Sequence, residues 1–326
     1  MIFTLENTST REISKQLVSI REKGNQVTTG RVLTLIVVVD VHKPLAPVLE
    51  SIHNSSREHP SRVLIMIKGD YAQPTNLNAE IRIGGDAGAS EIIIMHVDGE
   101  VAGHLASLVT PLLLPDTPIV AWWPYAAPFN PSTDEIGIIA QRRITDALGD
   151  PAQDAIYRRR THYTPGDSDL SWSRLTPWRG VLASALDQPP HTEITGVDIY
   201  GPAGNPSVDL AAGWLADRLS IPISRHTIEA HGMDFVDHNG TSCHPVSRVD
   251  IHRENGTVSV SVVDAETMAV SLPERPQSLV AQGLRSDSDC LSEELRHLDP
   301  DNAYARALRG LSRVHFIYGD ATTDQL

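Results

Sequence analysis

Between Arg31 and Asp40 runs Val32-Leu33-Thr34-Leu35-Ile36-Val37-Val38-Val39, apolar and largely β-branched at both odd and even positions. A strand of that kind has no face to leave in water. It requires cover on both sides, as in a parallel sheet packed between helices. The run is far shorter than the roughly 20 residues a membrane span needs. The flanking pattern agrees. Ser9-x-x-Glu12 is a capping box ahead of Ile13, Leu17 and Ile20 at helical spacing, predicting a helix over 10–23. Further strands are predicted at 63–67, 79–83, 91–97 and 119–123. Helices are predicted around 44–56 and along Val101, Leu105, Leu108 and Leu112, with Asp98 as a cap. A polar helix is expected at 134–148.

The second half repeats this logic. Strand 194–200 leads through Gly201-Pro202-Ala203-Gly204-Asn205-Pro206 into a helix over 207–219, and 223–229 reads as the next strand. Asn255-Gly256 between the alternating segments 246–253 and 257–263 signals a β-hairpin. Segment 170–186 is helical with a restart at Pro177, Asp169 and Thr176 serving as caps. The expected fold is therefore α/β: two layered halves with mixed sheets, the second including a hairpin. Turn formers over 151–170 suggest a linker, dividing 1–150 from 171–326.

Length supports about two domains. With 41 Asp and Glu against 27 Lys and Arg, the formal charge is −14, which argues against a nucleic-acid backbone as partner. Two cysteines, Cys243 and Cys290, make no disulfide framework and no C-x-x-C. The start lacks a basic region followed by an apolar stretch, so a cytoplasmic setting is expected. No Walker loop, G-x-G-x-x-G or G-x-S-x-G is present. Gly84 to Gly88 reads as a turn. Gly201 to Pro206 sits where a helix N-terminus could hold an anion, although its two prolines remove donors. His226, His231, His238, Cys243 and His244 are zinc-competent side chains without a ligand motif. Neither a catalytic residue, a cofactor nor a metal is assigned.

Asp169 to Arg179 is more unusual. It places Trp172, Arg174, Trp178 and Arg179 in eleven residues of a chain with five tryptophans. Trp and Arg dominate protein–protein hot spots, but two tryptophans at a domain junction would read the same way. His59 and Arg62, in His59-Pro60-Ser61-Arg62, form a second cluster, and Arg142-Arg143 and Arg158-Arg159-Arg160 add local positive charge.

In order along the chain, His59-Pro60-Ser61-Arg62, Leu114-Pro115-Asp116-Thr117-Pro118 running into Ala121-Trp122-Trp123-Pro124, Arg142-Arg143-Ile144-Thr145-Asp146, Asp169 to Arg179, and Leu291 to Leu308 resemble the OpcA family of glucose-6-phosphate dehydrogenase assembly proteins. The likeness covers nearly the whole chain. It implies a non-catalytic partner that binds glucose-6-phosphate dehydrogenase and favours its active oligomer. The expected partner-binding residues are Trp172, Arg174, Trp178 and Arg179, then His59, Arg62, Arg142 and Arg143. The competing expectation is an independent α/β protein or enzyme that binds a sugar phosphate or nucleotide.

Overall fold

The computed structural model describes residues 1–23, 30–84, 90–189, 191–228, 246–282 and 285–317. In chain order the elements begin with β1 (Ile2–Leu5), α1 (Thr10–Lys23), β2 (Leu33–Asp40), α2 (Ala46–Ser55), β3 (Ser61–Lys68), β4 (Asn76–Ile83) and β5 (Glu91–Asp98). Then come α3 (Leu105–Val109), β6 (Ile119–Trp123), α4 (Glu135–Ile139), β7 (Arg142–Thr145), α5 (Ala155–His162), β8 (Asp167–Asp169), α6 (Leu170–Ser173) and α7 (Thr176–Leu186). The remainder is β9 (Ile194–Pro202), α8 (Pro206–Leu219), β10 (Ile223–Ile228), β11 (Arg248–Arg253), β12 (Gly256–Asp264), β13 (Thr267–Ser271), β14 (Ser278–Ala281), α9 (Asp287–Arg296), α10 (Asn302–Gly310) and β15 (Val314–Ile317).

These elements form two compact units, neither continuous in sequence. The first takes Met1–Ala152, His162–Leu170 and Asp287–Pro300; the second takes Gln153–Thr161, Ser171–Ser286 and Asp301–Leu326. The expected linker thus carries α5 and a sheet strand, β8.

The first unit holds an eight-stranded sheet, ordered β1-β4-β5-β3-β2-β6-β7-β8. Strands β5 through β8 in that order pair in parallel, while β4 and β1 join antiparallel at one edge. The parallel part has the doubly wound order, its chain direction reversing between β2 and β6. Strand β2 is central, and both its faces are buried as expected. Ile36 joins Ile13 and Leu17 of α1 on one side; Leu35 and Val37 join Val48 and Ile52 of α2 and Leu291 and Leu295 of α9 on the other. Each such side chain contributes about 1.5–3 kcal/mol.

The second unit holds a seven-stranded sheet, ordered β14-β13-β12-β11-β9-β10-β15, antiparallel from β14 to β9 and parallel from β9 to β15. The hairpin β11–β12 forms where expected. Its turn residues are Glu254 and Asn255, because Gly256 already pairs with Arg253, at a φ of +127° that favours glycine. Helices α8 and α10 cross closely: a Cβ on Gly310 would stand 1.9 Å from the Gly213 carbonyl oxygen.

Several local expectations are corrected. Segment 134–148 is a short helix followed by β7, since sheet pairing overrides its polar pattern. Helix 101–112 breaks into 3-10 turns around α3, and Asp98 makes no side-chain cap bond. Leu175, not Thr176, precedes α7, again without a side-chain cap. The capping box does form: Glu12 Oε2 accepts from Ser9 N (3.0 Å), and Ser9 Oγ accepts from Glu12 N (3.3 Å). Among the described residues no helix is long and apolar enough to cross a membrane.

Candidate interaction site

From Ser171 onward the Trp/Arg segment belongs to the second unit. Trp172 is 1% exposed, and its indole N–H donates to Asp301 Oδ2 at 2.7 Å. The Arg179 guanidinium lies 3.8 Å from the Trp172 ring centre and donates to Thr176 Oγ1 (2.6 Å), while Tyr304 packs on the indole at 6.1 Å. Trp178 is also buried; Arg174 and Arg179 are partly exposed. The segment therefore fastens α10, whose N-terminal N–H groups at Ala303 and Tyr304 are capped by the same Asp301 carboxylate.

In the first unit Arg62, Arg142 and Arg143 are buried too. Arg62 donates twice to Glu91 and once to the Leu112 carbonyl. Arg142 pairs with Glu294 and the Asp299 carbonyl; Arg143 pairs with Asp167 and the Ala140 and Pro165 carbonyls. These guanidiniums tie the starts of β3 and β7 to their neighbours. His59 is half-buried, 3.9 Å from Glu58. Asp169, expected to cap a helix, is instead fully buried and accepts from Thr145 Oγ1 and the Ala147 N–H.

In doubly wound sheets a ligand sits at the carboxyl ends of the strands where the order reverses, here between β2 and β6. There the chain bonds across the two strand ends itself. The Tyr125 hydroxyl donates to the Pro44 carbonyl at 2.8 Å, and the Lys43 ammonium stands 5.6 Å from the Tyr125 ring centre. Burial raises the Tyr125 hydroxyl pKa, and the nearby Asp287 and Asp146 charges raise it further. The turn after β2 has no glycine, and its first three N–H groups are engaged: Val41 with the Lys68 carbonyl, His42 with Asp40 Oδ1, and Lys43 with the Asp40 carbonyl. A pyrophosphate-binding turn needs such groups free.

At the entry to α8 the Asn205 side chain already caps Ser207 N, and Asp209 supplies a carboxylate in the first turn. Arg225 crosses beneath, pairing with Asp209 and with the Gly201 and Pro202 carbonyls. Burial raises the Asp209 carboxyl, an effect that Arg225 opposes. The helix end is thus satisfied internally. Gly85 to Gly88, and His231, His238, Cys243 and His244, lie outside the described residues. Among the described ones no group of three or more His, Cys, Asp or Glu could hold a metal ion.

Of one cluster the sequence singles out only His226. Asp198 on β9 accepts from His226 Nε2 on β10 (2.7 Å) and from His252 Nε2 on β11 (2.6 Å). Tyr200 stacks on His226 at 4.6 Å, and Arg248 and Ser259 both bond Asp250. All lie on the sheet face opposite buried Val197, Ile199, Val249 and Ile251. Their period-two spacing was visible within each strand, but the pairing of β9 with β10 and β11 was not. Because a carboxylate only accepts, His252 carries its proton on Nε2 when neutral, and Nδ1 then accepts from Thr257 Oγ1 (3.1 Å). Burial alone would raise the Asp198 carboxyl. The two imidazole bonds and their charge outweigh burial and hold it below its ordinary value.

A lowered carboxyl stabilises the fold above its unfolded pKa, and that stability is lost as pH falls through the folded value. Asp198→Asn should therefore melt below wild type at neutral pH, with the gap closing below about pH 4. Melting temperatures across pH test this; a gap that stays constant would contradict the charge-based account.

Residues 53–161 match the family model for the glucose-6-phosphate dehydrogenase subunit N-terminal domain, and residues 165–308 the model for its C-terminal domain. A Synechocystis sp. (strain ATCC 27184 / PCC 6803 / Kazusa) protein provisionally named OxPP cycle protein OpcA is 30% identical over 150 residues, spanning 41% of this chain and 30% of that protein. An oxidoreductase from Sinorhizobium meliloti aligns at 10% identity over 87% of this chain and 95% of its own, with a TM-score of 0.43. Levoglucosan dehydrogenase, solved with NADH and L-sorbose, aligns at 9% identity over 85% and 90%, with a TM-score of 0.39. Likenesses this weak carry no argument about fold or chemistry.

Proposed function

Since this chain belongs to the OpcA family of glucose-6-phosphate dehydrogenase subunits, we propose that it is a non-catalytic, cytoplasmic assembly factor that binds the dehydrogenase and favours its active oligomer. The observation that carries the non-catalytic part is the hydrogen bonding at the crevice between β2 and β6. The strand order is one that elsewhere receives nucleotides, yet Tyr125 bonds across to Pro44 and the N–H groups after β2 that a cofactor would need are already engaged. The competing reading, an independent nucleotide or sugar-phosphate binder, has the strand order in its favour and the crevice against it.

Activation in this reading is differential binding. The chain must hold the active oligomer more tightly than the inactive form. Converting a 1:99 population to 99:1 takes about 5.5 kcal/mol of preference. An interface above roughly 1,000 Å² with a few desolvated anchors can supply that.

The direct test is to assay the cognate dehydrogenase with and without this chain, and to measure the mass of the mixture by light scattering on a sizing column. Raised activity with a co-eluting complex is the expected result; no complex and no change at any substrate concentration would overturn the proposal. Titration of the isolated chain with NADPH or glucose 6-phosphate should give no saturable binding. Saturation would favour the competing reading.

A further inference from the structure

The carboxyl edge of the first sheet presents several exposed apolar and aromatic side chains. Four adjacent strands, β3, β2, β6 and β7, are followed within three residues by Tyr71, Val41, Tyr125 and Leu148. Tyr71 is 60% exposed, Val41 45% and Leu148 49%. Exposed apolar residues scattered singly are ordinary; several at the ends of adjacent strands are a reason to look for a contact surface.

Its loops are held before any partner arrives. Asp70 accepts from Ala72 N through its side chain and from Gln73 N and Gly99 N through its carbonyl. Gly99 has a φ of +70°, and a Cβ there would stand 2.6 Å from Thr75 N, so only glycine lets the two loops meet. Asp146 likewise accepts from Leu148 N at 3.1 Å. A surface fixed in this way loses little entropy on binding.

The rim carries sign. Asp40, Asp70, Asp98 and Glu100 stand at the ends of β2, β3 and β5, against Lys43, which lies over Tyr125, and Lys68. An apolar centre with a mainly acidic rim complements an apolar patch ringed by lysine and arginine. We infer that this edge seats the dehydrogenase, through a patch of that chemistry on the enzyme. The inference rests on the proposed function and adds the face through which it acts.

The experiment measures affinity of the full chain for the cognate dehydrogenase by surface plasmon resonance. Tyr71→Glu and Leu148→Glu should each weaken binding roughly 30-fold or more, as loss of an anchor does. Asp70→Lys should slow association and reverse part of its salt dependence. His252→Ala, on the second sheet, should leave affinity unchanged. Hydrogen exchange on the wild-type complex should show protection over residues 40–45, 69–75 and 146–150, a readout that needs no variant to fold. If wild type binds but these segments are unprotected and the edge variants bind normally, the edge is not the docking face, while the assembly function stands. If wild type itself fails to bind, the function and this inference fall together.

Discussion

A fragment ending at residue 150 is expected to show no cooperative melt and no near-ultraviolet circular dichroism of a packed core. That is the boundary the composition suggests, but the first unit closes with pieces from far along the chain. Without β8, β7 becomes an unpaired edge, and Arg143 loses Asp167 and the Pro165 carbonyl. Without α9 and the segment to Pro300, Arg142 loses Glu294 and the Asp299 carbonyl. The layer over β2 also loses Leu170, Cys290, Leu291 and Leu295. Leaving one partner of a buried ion pair behind costs about 3–5 kcal/mol. Two such losses amount to about 6–10 kcal/mol, against a total stability of about 5–15 kcal/mol for a domain. Co-expression with residues 151–326 should restore the melt, because it returns both missing partners. A 1–150 fragment that melts cooperatively alone would show that the later segments are ornamental to the first unit.

The same distances explain what could be read from the sequence. Strand β2 was legible because its eight residues state their own requirement for cover on both faces. The capping box and the hairpin were legible because each is settled within a few positions. Strand β7 was not. Arg142-Arg143 looks like a solvated pair until carboxylates 152 and 24 residues away are known to neutralise it. Strand β8 hid among turn formers for a related reason. Its Asp167 and Asp169 are polar because they receive Arg143, Thr145 and Ala147, not because they face water. The proposed docking edge was invisible as well. Val41, Tyr71 and Leu148 stand on one edge only through the strand order, which no local pattern encodes.

Trp172 gives the second large effect, and it decides between the two readings of the Trp/Arg segment. Trp172→Ala should lower stability by about 3–5 kcal/mol, as truncation of a buried aromatic does. For a unit of this size that is a fall of about 6–20 °C in melting temperature. Three losses coincide. The indole volume disappears from a fully buried site, Arg179 loses the ring beneath its guanidinium, and Asp301 loses the donor that holds it while it caps α10. Trp172→Phe keeps most of the volume but removes the N–H, leaving Asp301 Oδ2 one donor short, so a cost of about 1–3 kcal/mol remains. Trp178 provides the contrast. It is equally buried, but its N–H has no hydrogen-bond partner among the described residues, so Trp178→Phe should cost clearly less than Trp172→Phe. Both phenylalanine variants should remain folded, so their affinity for the dehydrogenase can be measured beside their melting temperatures. Unequal stabilities with unchanged affinity would make the segment the fastening of α10. Unchanged melting with lost affinity would make the two tryptophans partner anchors that become accessible only in the complex.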